Sequence, residues 1–126
     1  MAKIKAFSDI SQSKTLAEIL PLESADAFYP WRELMKDYDS IYVPEEMLMS
    51  DLEEDDICAW SLAALLGVLP TLDGRNAVLC KDIRYDEWHI CYHSTATLSV
   101  IDTERYDNPV DACYEMILKL HELKML

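Results

Sequence analysis

The chain has 126 residues, 51% of them hydrophobic and 28% charged, the size and composition of a single domain spanning 1–126 around one core. Twenty-four acids against eleven bases leave a net charge of −13, which excludes a general nucleic-acid binder, because neutralising phosphates takes a surplus of Lys and Arg. Only two glycines, Gly67 and Gly74, stand where average usage of roughly 7% would supply about nine, which excludes a phosphate-cradling loop of the dinucleotide or P-loop kind.

The opening residues carry Lys3 and Lys5, but no apolar run of signal-peptide length follows, so a cytoplasmic protein is expected. The first helix is predicted over 9–20. Ser8 or Asp9 caps it, Leu16, Ala17, Ile19 and Leu20 form its apolar edge, and Pro21 stops it. Short helices are predicted from Pro30 to Lys36 and from Pro44 to Met49, each opening on a proline suited to the first helical position. The segment 37–56 holds nine acids and no base, so most of the net charge lies in one block. Ile41, Tyr42, Val43, Met47, Leu48, Met49 and Leu52 interleave with the charges, which favours an anchored loop or short helix over a disordered tail.

The uncharged stretch Ile57 to Leu72 is too short to span a bilayer, which takes roughly twenty residues, and no membrane association is expected. Cys58 to Leu69 is apolar on nearly every face and predicts a helix buried all round, with Asp55 and Asp56 complementing its N-terminal dipole and Pro70 ending it. After Asp73-Gly74 the period changes to that of strands, predicted over 77–83, 87–93 and 98–103 and joined as an antiparallel meander. In the middle strand Trp88, Ile90 and Tyr92 face the core, while Glu87, His89, Cys91 and His93 take the other side. The last helix, 109–124, has Asn108 as its cap and Pro109 at its first position. Its stripe is Val110, Cys113, Tyr114, Ile117 and Leu120, widened by Met116 and Leu123, with His121 at the boundary. The fold class is α+β: N-terminal helices, a buried central helix, a three-stranded antiparallel meander, and a C-terminal helix packed on the sheet.

Four cysteines, at 58, 80, 91 and 113, lie far apart without a Cys-x-x-Cys pair, and read as free, mostly buried thiols. Cys58 at a helix start, His89 or His93 on one strand and Asp102 on the next match the order of a cysteine hydrolase: thiolate, proton acceptor, orienting group. Against it, Glu53, Glu54, Asp55 and Asp56 precede Cys58, and like charge raises a thiol pKa that catalysis needs lowered. The chain also lacks the glycines that let a substrate backbone approach. His89-x-Cys91-x-His93 places metal-capable side chains on one strand face, with Cys80 on the adjoining strand a further donor. Exposed strand faces carry such residues by chance, so no metal and no cofactor is expected. With 24 carboxylates no acid pair is informative, and neither a nucleophile elbow nor a His-Glu-x-x-His helix is present.

Ser11–Asp26, Cys58–Pro70 and Asp107–Leu126, together 49 residues, resemble small uncharacterised proteins from prophage-like and other mobile elements of gut bacteria. The resemblance implies a bacterial or phage cytoplasm and an accessory or interaction role, and assigns no activity, cofactor or site residue.

The leading expectation is a non-enzymatic accessory protein that binds a macromolecular partner with a basic surface through its acidic face, at Asp51, Glu53, Glu54, Asp55 and Asp56, without binding nucleic acid directly. The alternative is a small cysteine hydrolase using Cys58 with His89 or His93.

Overall fold

The computed structural model describes residues 5–29, 45–46, 56–72, 74–93 and 100–126, with only the backbone of Glu45, Glu46, His93 and Val100. The described residues build an α+β fold from helices and two three-stranded antiparallel sheets. The chain forms two compact units, Ala6–Ala64 and Leu65–Leu126, the latter joined by Lys5.

In the first unit, helix α1 (Ile10–Ile19) begins where the sequence says it should. The Asp9 carboxylate accepts from the Gln12 N–H at 2.8 Å, and the Gln12 amide oxygen accepts from the Asp9 N–H at 3.1 Å, a reciprocal cap that satisfies two donors a bare helix end would waste. Pro21 ends it and opens a 3₁₀ turn, Leu22–Ser24. Strand β1 (Ala27–Tyr29) then lies between β2 (Glu45–Glu46) and β3 (Ile57–Ala59), both antiparallel to it. Helix α1 packs on β3, and Ala27, Tyr29 and Ala59 close a small core with Phe7, Ile10 and Ile57.

A buried polar hub fastens this unit. The Ser8 hydroxyl accepts from the Trp60 N–H at 3.1 Å and meets the Ser13 hydroxyl at 2.8 Å, while the Tyr29 hydroxyl donates to the Ser8 carbonyl at 2.7 Å. Trp60 is fully enclosed and its indole N–H donates to the Ser24 hydroxyl at 3.0 Å. No buried side-chain nitrogen or oxygen among the described residues lacks a partner, which is the condition for burying such groups at all.

Helix α2 (Leu62–Val68) crosses the boundary between the units. It is shorter than the 58–69 expected. Cys58 and Ala59 are spent on pairing with Phe28 and Ala27, so tertiary pairing overrides the helix propensity of that run. The start is set by Ser61, whose hydroxyl accepts from the Ala64 N–H at 3.1 Å and donates to the Asp26 carboxylate. The first turn carries no acid, and Asp56 precedes β3 rather than the helix, so it does not serve the dipole; Asp55 lies outside the described residues. Nor is it buried all round: Leu65 is enclosed, but Ala63 and Gly67 are exposed.

In the second unit β4 (Val78–Asp82), β5 (Glu87–His93) and β6 (Val100–Asp102) form the expected meander, with β5 in the middle. A four-residue turn joins β4 to β5 and closes on Asp86 in the left-handed region, at φ 50°. Helix α3 (Pro109–Glu122) packs on β5, capped as expected by Asn108, whose side-chain oxygen accepts from the Asp111 N–H at 2.8 Å. Val110, Ala112, Cys113, Met116, Ile117 and Leu120 are its buried side, whereas Leu123 and His121 are exposed. Ile90 and Tyr92 are buried as expected and Trp88 is half-buried under the Lys81 ammonium, 5.3 Å from its ring centre. The opposite face is not simply solvated, because Cys91 is buried too. No helix among the described residues is long and apolar enough to cross a membrane.

The helix expected over 44–49 is a strand where it is described, at Glu45–Glu46, and the helix expected over 30–36 lies outside the described residues. Strand β1 falls on Ala-Phe-Tyr, three residues between a turn and a proline, too short to show alternation.

Candidate functional site

Of the five acids expected to contact a partner, Asp51, Glu53, Glu54 and Asp55 lie outside the described residues. Asp56 is half-buried and leads directly into β3. The acidic block therefore touches the first sheet twice, at Glu45–Glu46, which pair with Phe28 and Ala27, and at its end, where β3 pairs with the same strand.

Cys58 sits in β3 opposite Phe28, 5% exposed, and opens no helix. Burial, and then the charge of Asp56, push its thiol above the ordinary value. Both effects disfavour the thiolate that a nucleophile requires. The side chain of His93 lies outside the described residues.

The chemistry-bearing side chains that come together are on the second sheet. Cys80 pairs with His89 and Cys91 pairs with Asp102, and residues directly opposite share a face. Strand alternation puts His89 and Cys91 on the same side, so all four gather on one face of three adjacent strands. The two sulfurs are 3.9 Å apart, and both lie within 4.8 Å of a ring nitrogen of His89. The Asp102 carboxylate sits 2.9 Å from His89 Nδ1. A carboxylate only accepts, so Nδ1 carries the hydrogen of this bond. Cys91 is 1% exposed and the His89 side chain 18%. Burial first, then the hydrogen bond and charge of Cys80 and the charge of Asp102, push the Cys91 thiol up to about 12. No family model, curated protein or solved structure matches the chain.

The face containing His89 and Cys91, and Cys80 as a neighbour, are visible in the sequence. Asp102 is visible only as the orienting group of a hydrolase. It does bond His89, but the cysteines that share its sheet face are Cys80 and Cys91. A second feature, an open groove of about 560 Å³, runs beside α3 and is lined by Asp102, Glu104, Tyr106, Glu115, Lys119 and Glu122 among others. Burial, then the charges of Asp111 and Glu104, raise the Glu115 carboxyl above its ordinary value.

Proposed function

We propose that the protein is a non-enzymatic accessory protein that binds a macromolecular partner with a basic surface through its acidic block. The observation that carries this reading is the concentration of nine acids and no base in residues 37–56, of which Glu45–Glu46 pair with β1 and Asp56 leads into β3. A −9 segment steers encounter with a positive surface and penalises a negative one. The resemblance to proteins of mobile elements accords with an accessory role. The hydrolase alternative loses support because Cys58 is buried, opens no helix and has a raised thiol pKa.

The test is affinity capture from a bacterial lysate at low and high salt, with the wild-type protein and with a variant carrying Asp51→Asn, Glu53→Gln, Glu54→Gln, Asp55→Asn and Asp56→Asn. Captured proteins should be rich in Lys and Arg. They should wash off as salt rises, since the screening length falls from about 8 Å at physiological ionic strength to about 3 Å at 1 M. The neutralised variant, checked for an unchanged circular dichroism spectrum, should retain none of them. A partner held equally well by both proteins refutes the reading.

A further inference from the structure

We propose that Cys80, His89 and Cys91 form a zinc site, with Asp102 as the residue that positions His89. This site lies on the second sheet and is independent of the acidic block.

The donor set is the first argument. Two thiolates and one imidazole are the ligand types zinc takes in tetrahedral sites, and the mixture of soft sulfur and nitrogen disfavours magnesium and calcium, which take oxygen. Geometry is the second. Zn–S bonds of about 2.3 Å at the tetrahedral angle set two sulfurs about 3.8 Å apart, and Cys80 and Cys91 stand at 3.9 Å with a His89 nitrogen within reach of both. Binding needs only small rotations of side chains already on one face. The third argument is Asp102. Metal-bound histidines almost always donate their other N–H to a carboxylate or carbonyl, which fixes the tautomer and strengthens the ligating nitrogen. His89 has that partner at 2.9 Å, supplied by a different strand from either cysteine.

Charge fits as well. Zn²⁺ displaces one proton from each thiol, giving a neutral bis-thiolate complex and two protons released to solvent, so a half-buried face acquires no net charge. The ligands come from β4 and β5, and the positioning carboxylate from β6, so the ion ties the three strands of the meander together. The three donors leave one tetrahedral position, which a water or a donor atom of a bound molecule fills.

The experiment uses the full chain, reduced and stripped of metal, titrated with Co²⁺ as a spectroscopic stand-in. One equivalent should produce a thiolate-to-cobalt charge-transfer band and the visible bands of a tetrahedral ion, and one equivalent of Zn²⁺ should bleach both. Cys80→Ser should lose about half the charge-transfer intensity, and His89→Gln should weaken binding at least tenfold. Asp102→Asn should keep the band while weakening binding about 10- to 100-fold. A second readout needs no variant: in the wild-type protein, Zn²⁺ should slow alkylation of Cys80 and Cys91, mapped by mass spectrometry, and leave Cys58 and Cys113 unchanged. Absence of the band, a band indifferent to Cys80→Ser and His89→Gln, or equal zinc protection of all four cysteines overturns the site. Unchanged affinity in Asp102→Asn overturns the positioning role.

Discussion

Replacing Ser8 by alanine removes one hydroxyl from the centre of the first unit, and the structure sets the size of the loss. Ser8 is fully enclosed, and its Oγ takes the hydrogen bond of the buried Trp60 N–H at 3.1 Å. Alanine leaves that donor without its acceptor in a site too enclosed for bulk water, at a cost of about 1–3 kcal/mol. The Tyr29 hydroxyl is unaffected, because it donates to the Ser8 carbonyl. Ser13→Ala is milder, since it breaks the 2.8 Å contact with Ser8 Oγ but leaves the bond to Trp60 in place; about 0.5–1.5 kcal/mol is expected. The contact between the two serines is counted in both single losses, so the double variant should fall short of their sum by about 0.5–1.5 kcal/mol. Urea unfolding followed by tryptophan fluorescence reads all four corners of this cycle, with the denaturant slope as the check that the unfolded state has not changed. A Ser8→Ala loss below about 0.5 kcal/mol at constant slope, or strict additivity of the two changes, would refute the hub.

Leu65→Ala and Ile117→Ala both truncate fully enclosed side chains, and each should cost about 2–5 kcal/mol in the same assay; a loss near zero at either position contradicts its burial. Glu115→Gln should stabilise the protein at neutral pH by about 0.2–0.5 kcal/mol, the size of a like-charge pair four residues apart on a helix, here with Asp111. Because the folded carboxyl titrates above its unfolded value, ionised Glu115 opposes folding at high pH and the opposition fades as protons bind. The advantage of the glutamine variant should therefore shrink as pH falls through the raised pKa and vanish below the ordinary 4.5. Thermal unfolding of both proteins across that range checks it, and an advantage independent of pH refutes the assignment.

Sequence reading succeeded where the local signals are self-contained. Helix α1 carries its cap at Asp9 and its stop at Pro21, helix α3 carries Asn108 and Pro109, and the meander shows in the change of period after Gly74. It failed where a strand is only two or three residues long and exists because of its partners, as in β1 and β2. The metal-capable cluster shows how fine the missing information is. Pairing the expected strand ends Ile83 and Glu87 sets Lys81 across from His89. The actual register, Asp82 with Glu87, sets Cys80 there. A slip of one residue turns every side chain of β4 to the other face, so donors gather or scatter according to how the 83–86 turn closes. Asp102 depends on a second register, that of β5 with β6, and no spacing within one strand reveals it.

The two-residue strand β2 lies at the outer edge of the first sheet, and both of its residues are glutamates. Sheet edges invite a strand from a second copy of the same chain, and proteins guard against this with short edges and charge. A copy approaching edge to edge would bring its own Glu45 and Glu46 against these, and like charges directly opposite oppose pairing. Two glutamates on so short an edge disfavour its extension by a second copy, and neutralising them should lower the concentration at which the protein stays in solution.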